Sequence, residues 1–192
     1  MRQLLFVLLV FCLALFTDAT SVRAADPFAA YKNSDYAAAI KGFRELAEQG
    51  NANAMNNLGL MYANGLGVDV DLAAARAWYE QAAGHGSLSA VNNLGAMYET
   101  GQGAPQNYEE AANKYANAAK YGLSDAQYNL GALYESGKGL PRDPLQAYLW
   151  YSLAAAQGDA DAAAARDRVG ATIDPALLGQ AAAYVKTWKA AQ

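Results

Sequence analysis

NNLGLMYANGLGVDVDLAAARAWYEQAAGHG, residues 56–86, returns 36 residues later as NNLGAMYETGQGAPQNYEEAANKYANAAKYG, 92–122, and again as YNLGALYESGKGLPRDPLQAYLWYSLAAAQG, 128–158, without a gap. Leu58-Gly59, Leu94-Gly95 and Leu130-Gly131 align, as do Tyr62, Tyr98 and Tyr134. Tyr79, Tyr115 and Tyr151 keep the same spacing, and so do the closing glycines Gly86, Gly122 and Gly158. Self-similarity at a period of this length marks a stacked-repeat architecture.

Within one unit the apolar spacing describes two helices. Ala54, Leu58, Met61 and Tyr62 fall at i, i+4, i+7 and i+8, which predicts a first helix over about 54–63. Gly59, Gly95 and Gly131 lie in its interior, where glycine costs about 1 kcal/mol against alanine. A cost repeated at one position predicts close approach of the second helix, where a β-carbon would clash. Asp71, Asn107 and Asp143 are good N-caps for that second helix. Glu110 and Gln146 follow three residues after two of them, as in a capping box. Ala75, Tyr79, Ala82 and Ala83 form its buried stripe. The G-x-G loops between the helices lack the third glycine and the preceding strand of a phosphate-binding fingerprint, so they read as turns.

The ends are altered units. Ser34 to Gly50 matches the second helix of a repeat, and a short helix over 27–33 precedes it. After Gly158, residues 160–169 read as a degenerate first helix, with Arg166-Asp167 where Leu-Gly belongs. Asp174-Pro175 then starts a last helix with Leu177, Leu178, Ala181, Tyr184, Val185 and Trp188 on one face. The expected division is a partial repeat over 26–51, full repeats over 52–87, 88–123 and 124–159, and a degenerate repeat with a capping helix over 160–192. The fold class predicted is all-α, an α/α superhelical solenoid.

Residues 1–24 read as a cleavable signal peptide. Arg2 supplies the positive start, Leu4 to Phe16 is an apolar run too short for a comfortable membrane span, and Val22-Arg23-Ala24 is the favoured cleavage site. Thr17-Asp18-Ala19 is a second site. The expected location is periplasmic or secreted, with no stable membrane anchor after cleavage. The remaining 168 residues lose Arg2, Arg23 and Asp18, and carry 12 basic and 17 acidic residues for a net charge of −5. The one cysteine, Cys12, leaves with the signal, which removes disulfides, thiol catalysis and thiolate metal sites. Lys and Arg are scattered, which argues against a nucleic-acid surface.

The pattern A-x-x-N-L-G-x-x-Y-x-x-G-x-G, then D-x-x-x-A-x-x-Y-x-x-A-A-x-x-G, closely resembles Sel-one-like repeats, short-loop relatives of the tetratricopeptide repeat. The resemblance spans Asp35 to Gly158. It implies a superhelix that acts as adaptor, scaffold or regulator by binding other proteins, with no shared catalytic residues and no cofactor. A cysteine-rich branch linked to β-lactam binding or hydrolysis makes an envelope hydrolase an alternative, weakened here by the missing cysteines. A passive spacer in an envelope complex is a third reading. The related architecture places the first helices on the concave side. The candidate partner-binding groove is therefore Asn53, Asn56, Leu60, Asn64, Ser89, Asn92, Glu99, Asp125, Tyr128 and Glu135. It is amide-rich and acidic, so the partner expected is a neutral or basic protein segment. Asn57, Asn93 and Asn129 form a ladder that reads as structural, and the tyrosines and Trp78 and Trp150 read as packing. His85, the only histidine, stands at a helix C-terminus without neighbouring metal ligands, and Glu109-Glu110 suit a helix start.

Overall fold

The computed structural model describes residues 26–191, which form ten helices and, among these residues, no strand. The signal-peptide reading of residues 1–24 lies outside the described residues. Helix α1 (Pro27–Lys32) pairs with α2 (Tyr36–Glu48). The three full units are α3 (Ala52–Asn64) with α4 (Leu72–Gly84), α5 (Leu88–Thr100) with α6 (Tyr108–Lys120), and α7 (Ser124–Ser136) with α8 (Pro144–Ala155). Helices α9 (Ala160–Gly170) and α10 (Pro175–Thr187) close the chain. Each second helix also packs on the first helix of the next unit, which makes the units a continuous stack.

Each second helix is capped as its residue type dictates. Asp71 accepts from the Ala74 N–H, Asn107 from Glu109 and Glu110, and Asp143 from Leu145 and Gln146. The capping box differs from expectation. The cap residues' own N–H groups donate to the carbonyls of Tyr62, Tyr98 and Tyr134, which leaves no donor for a returning Glu110 or Gln146 side chain. These bonds tie the start of each second helix to the last turns of the first. The first helices have caps of their own in Asn51, Ser87 and Asp159. At the matching place before α7 stands Leu123, which cannot cap, and the displaced Ser124 has a buried hydroxyl with no partner.

The interior glycines have a specific cause. A β-carbon on Gly95 would stand 2.7 Å from the Tyr115 ring, one on Gly131 would stand 2.9 Å from the Tyr151 ring, and one on Gly59 would fall against the Tyr79 ring. The tyrosine of each second helix lies flat over the glycine of its partner, and all three rings are buried. The second loop glycines serve the stack instead. Gly67, Gly103 and Gly139 have φ of 73°, 77° and 69°, and each brings its backbone against the first residue of the preceding unit's second helix: Tyr36, Leu72 and Tyr108. A side chain at any of the three would be both strained and blocked.

Helix α10 departs from the repeat. The loop before it spans 171–174, four residues, against seven over 65–71. It packs chiefly on α8, and Ala191 N–H donates to the Lys120 carbonyl at 2.8 Å. Of the residues expected on its apolar face, Ala181 is buried and Leu178, Val185 and Trp188 are half-buried, whereas Leu177 and Tyr184 are 43% and 54% exposed.

Candidate functional site

The first helices α3, α5, α7 and α9 lie in a row, cross-linked by side chains one repeat apart. Asn93 Nδ2 donates to Asn56 Oδ1, and Asn129 Nδ2 to Asn92 Oδ1, each at 3.0 Å. Asn57, which has no full unit before it, donates to the Asn53 carbonyl at 2.8 Å. The ladder is structural, and it draws in two residues expected to be open groove: Asn56 and Asn92 are only 9% exposed and serve as its acceptors. A polar group buried this deeply needs a partner, and the next helix provides it. Tyr128 occupies the third acceptor place. Ala165 stands where a donor would follow, so no amide is needed there, and the Tyr128 ring packs against Tyr151 at 5.4 Å instead.

The two expected glutamates are also engaged. Tyr115 donates its hydroxyl to Glu99 Oε2 at 2.8 Å, and Tyr151 donates to Glu135 Oε2 at 2.9 Å. Arg168 on α9 reaches the same Glu135 carboxylate at 2.8 Å. Burial pushes the Glu135 carboxyl up, but the bonds from Arg168 and Tyr151 and the charges of Arg168 and Arg142 outweigh it and hold the group below its ordinary value. Burial, then the bonds to the glutamates, pushes the Tyr115 and Tyr151 hydroxyls well above theirs. Glu135 therefore adds little free negative charge to the row.

What remains open is Asn53, Asn64, Ser89 and Asp125, with Leu60 half-buried in the core. Asp125, Tyr128 and Asn92 come together with Asn129, Asp159 and Asp161 around a surface cavity of about 340 Å³ that spans α5, α7 and α9. Asp159 and Asp161 were not in the groove read from the sequence. They belong to the degenerate unit, where the 36-residue spacing that sets Arg166-Asp167 against Leu130-Gly131 also sets Asp161 in the place of Asp125; that spacing was the signal for it. The ion pairs of the described residues are Arg76–Glu80, Arg166–Asp167 and Arg168–Glu135, so these three aspartates have no cationic partner among them. No group of three His, Cys, Asp or Glu among the described residues could hold a metal ion. His85 is placed as a helix C-cap, with Nδ1 donating to the Gln81 carbonyl at 2.9 Å.

A family model described as Sel1 repeat matches residues 52–87, 88–120 and 124–159, more than half of the chain. The chain belongs to the Sel1 repeat family. Two solved structures carry the same fold. A Sel1 repeat protein from Oxalobacter formigenes superposes with a TM-score of 0.69 and 34% identity over 74% of this chain. The protective antigen c5321 of uropathogenic Escherichia coli, described as displaying an SLR fold, superposes with 0.60 and 38% identity over 62%. The match takes in 59% of the first relative's length and 26% of the second's. Comparison with curated proteins finds no match. Sel1 repeat proteins mediate protein–protein interactions and are typically non-enzymatic, and no described helix is long and apolar enough to cross a membrane.

Proposed function

We propose that this Sel1 repeat chain is an exported, non-catalytic binding module that docks a neutral or basic segment of a partner protein along the row α3, α5, α7 and α9. The observation that supports this reading is the cavity where Asp125, Asp159 and Asp161 gather beside the Tyr128 ring without a counter-ion. Carboxylates in that arrangement attract a Lys or Arg side chain, and the adjacent aromatic face adds a favourable surface for it. The exported location rests on the apolar run Leu4 to Phe16 and the Val22-Arg23-Ala24 site, and N-terminal sequencing of cell-derived protein should begin at Ala25.

The binding test uses a partner captured from envelope extract and titrated against variants. Asp125→Lys with Asp161→Lys is the variant of choice, because both side chains are exposed, whereas Asp159 caps α9 and Tyr128 packs on Tyr151. Loss of two attractive charges should weaken binding by about tenfold or more and flatten its salt dependence. Asn113→Lys, exposed on α6, should leave binding unchanged. If the aspartate variant binds like the wild type while the α6 variant does not, the second-helix face carries the function.

A further inference from the structure

The three interior tyrosines are equivalent by sequence and differ in one respect. Tyr115 and Tyr151 each donate to a glutamate in the last turn of the partner helix, Glu99 and Glu135. In the first full unit the same place holds Ala63, 36 residues before Glu99. Tyr79 is only 3% exposed, and among the described residues nothing accepts its hydroxyl proton. The hydroxyl is not sealed in, because it is not among the buried groups left without a partner. Beside it lies a cavity of about 200 Å³ lined by Tyr79 and Ala63 together with Asn64, Thr100 and Gln102.

We infer that this cavity is a carboxylate-binding site, in which a ligand's carboxylate takes the place that Glu99 and Glu135 fill in the later repeats. The donor set fits. Tyr79 offers an O–H, and burial holds it protonated by raising its pKa to about 12. Gln102, whose backbone N–H donates to Thr100 Oγ1, offers a side-chain amide that makes no hydrogen bond among the described residues. Asn64 uses one N–H on the Leu60 carbonyl and has a second to give. No carboxylate lines the cavity, so nothing there repels an anion. The apolar walls, Leu72, Ala96 and Met97, exclude water from one side of the bond and strengthen it. Two such donor bonds are already built into this chain at Glu99 and Glu135, so the geometry is one the fold reproduces. The site stands apart from the aspartate cavity and does not depend on that cavity's role.

The test is titration of the 15N-labelled protein followed by amide resonances, with propionate as the free acid and N-acetylglutamate N-methylamide as a blocked acidic side chain. Propionamide and the corresponding glutamine derivative are the neutral controls. A carboxylate should shift Ala63, Asn64, Thr100 and Gln102 saturably, and the neutral controls should not. Tyr79→Phe keeps the ring over Gly59 and should weaken binding by about tenfold or more, the worth of one hydrogen bond to a charged group. Ala63→Glu should abolish the titration, because the new side chain occupies the site from within. Saturation by propionate alone identifies a small free acid as the ligand class, and saturation by the blocked residue identifies an acidic side chain of a bound segment. The inference is overturned if neither carboxylate saturates, if the neutral controls bind as tightly, or if a folded Tyr79→Phe or Ala63→Glu protein titrates like the wild type.

Discussion

Substituting Gly95 by alanine sets two effects of opposite sign against each other. Alanine is the better helix former by about 1 kcal/mol in a helix interior. Its β-carbon would stand 2.7 and 2.8 Å from two carbons of the Tyr115 ring and 3.3 Å from Lys114 Cβ. The ring is 1% exposed and has nowhere to retreat. Overpacking of this kind costs about 1–3 kcal/mol. Moving the ring also strains its 2.8 Å bond to Glu99, a bond to a charged group of the class worth about 1.5–3 kcal/mol. With part of that bond lost, the net expectation is destabilisation by about 2 kcal/mol. Gly84 provides the contrast, since nothing lies within 4 Å of its would-be β-carbon at the end of α4. Gly84→Ala should gain about 0.5 kcal/mol, less than the interior value because the position is terminal. Urea unfolding followed by far-ultraviolet circular dichroism reads both, with the midpoint moving down for one and up for the other at constant slope. In a Tyr115→Leu background Gly95→Ala should cease to destabilise. If both single variants gain stability, or if the Tyr115→Leu background leaves the penalty intact, the ring is not the reason for the glycine.

Exchanging two neighbours, Leu123→Ser with Ser124→Leu, reproduces the Ser87-Leu88 order before α5, restores a cap to α7 and removes the orphaned hydroxyl, so the melting temperature should rise by an amount worth about 1 kcal/mol. Glu135 is held below its ordinary 4.5, so its contribution is present above that pH and lost as the pH falls through the lowered value; Arg168→Ala should lower the melting temperature at pH 7, and the difference from the wild type should shrink as the pH is taken down from 4.5. Tyr115 and Tyr151 are held above their ordinary 10, so their contribution is full below pH 10 and lost as the pH rises past it; melting temperatures measured from pH 9 to 12 should fall less steeply in Tyr151→Phe than in the wild type.

Much of the fold is legible because its causes are local. Asp71, Asn107 and Asp143 announce helix starts through their own side chains, and a glycine recurring in a helix interior announces a crossing. The partner of that glycine was less visible: a helix crossing reads from Gly95 alone, but the ring that covers it comes from Tyr115 on the facing helix. The candidate site was harder to read for the same reason. Asn56 and Asn92 look like surface residues because they fall off the apolar stripe, yet their acceptors are used by amides 37 residues away. Glu99 and Glu135 look like free charges until the facing tyrosines are placed. Tyr128 reads as a binding anchor in isolation, and as the end of an amide ladder once Ala165 is seen beside it. Asp161 keeps the 36-residue spacing from Asp125 although the rest of the template fades after Gly158, so its place beside Asp125 is legible; Asp159 reads as a helix cap, and its share in the cavity comes from the packing of α9 on α8 and its position in the row. Helix α10 starts where Asp174-Pro175 announces it, but the helix it packs on is set by tertiary contacts that its own apolar face does not name.

The contact of each second loop glycine with the unit before it has a consequence for how such a chain can change length. Gly67 meets Tyr36, Gly103 meets Leu72 and Gly139 meets Tyr108, so every joint is made between backbone positions at one constant offset. A whole 36-residue cassette inserted between 87 and 88 would bring its own copy of the joint and find its seat already formed at both ends. A single residue added to the same loop would act as a frameshift in space, displacing every unit beyond it from its neighbour. The cassette is therefore the unit by which such a chain can lengthen, and its exposed side chains can change without touching the joints that stack it.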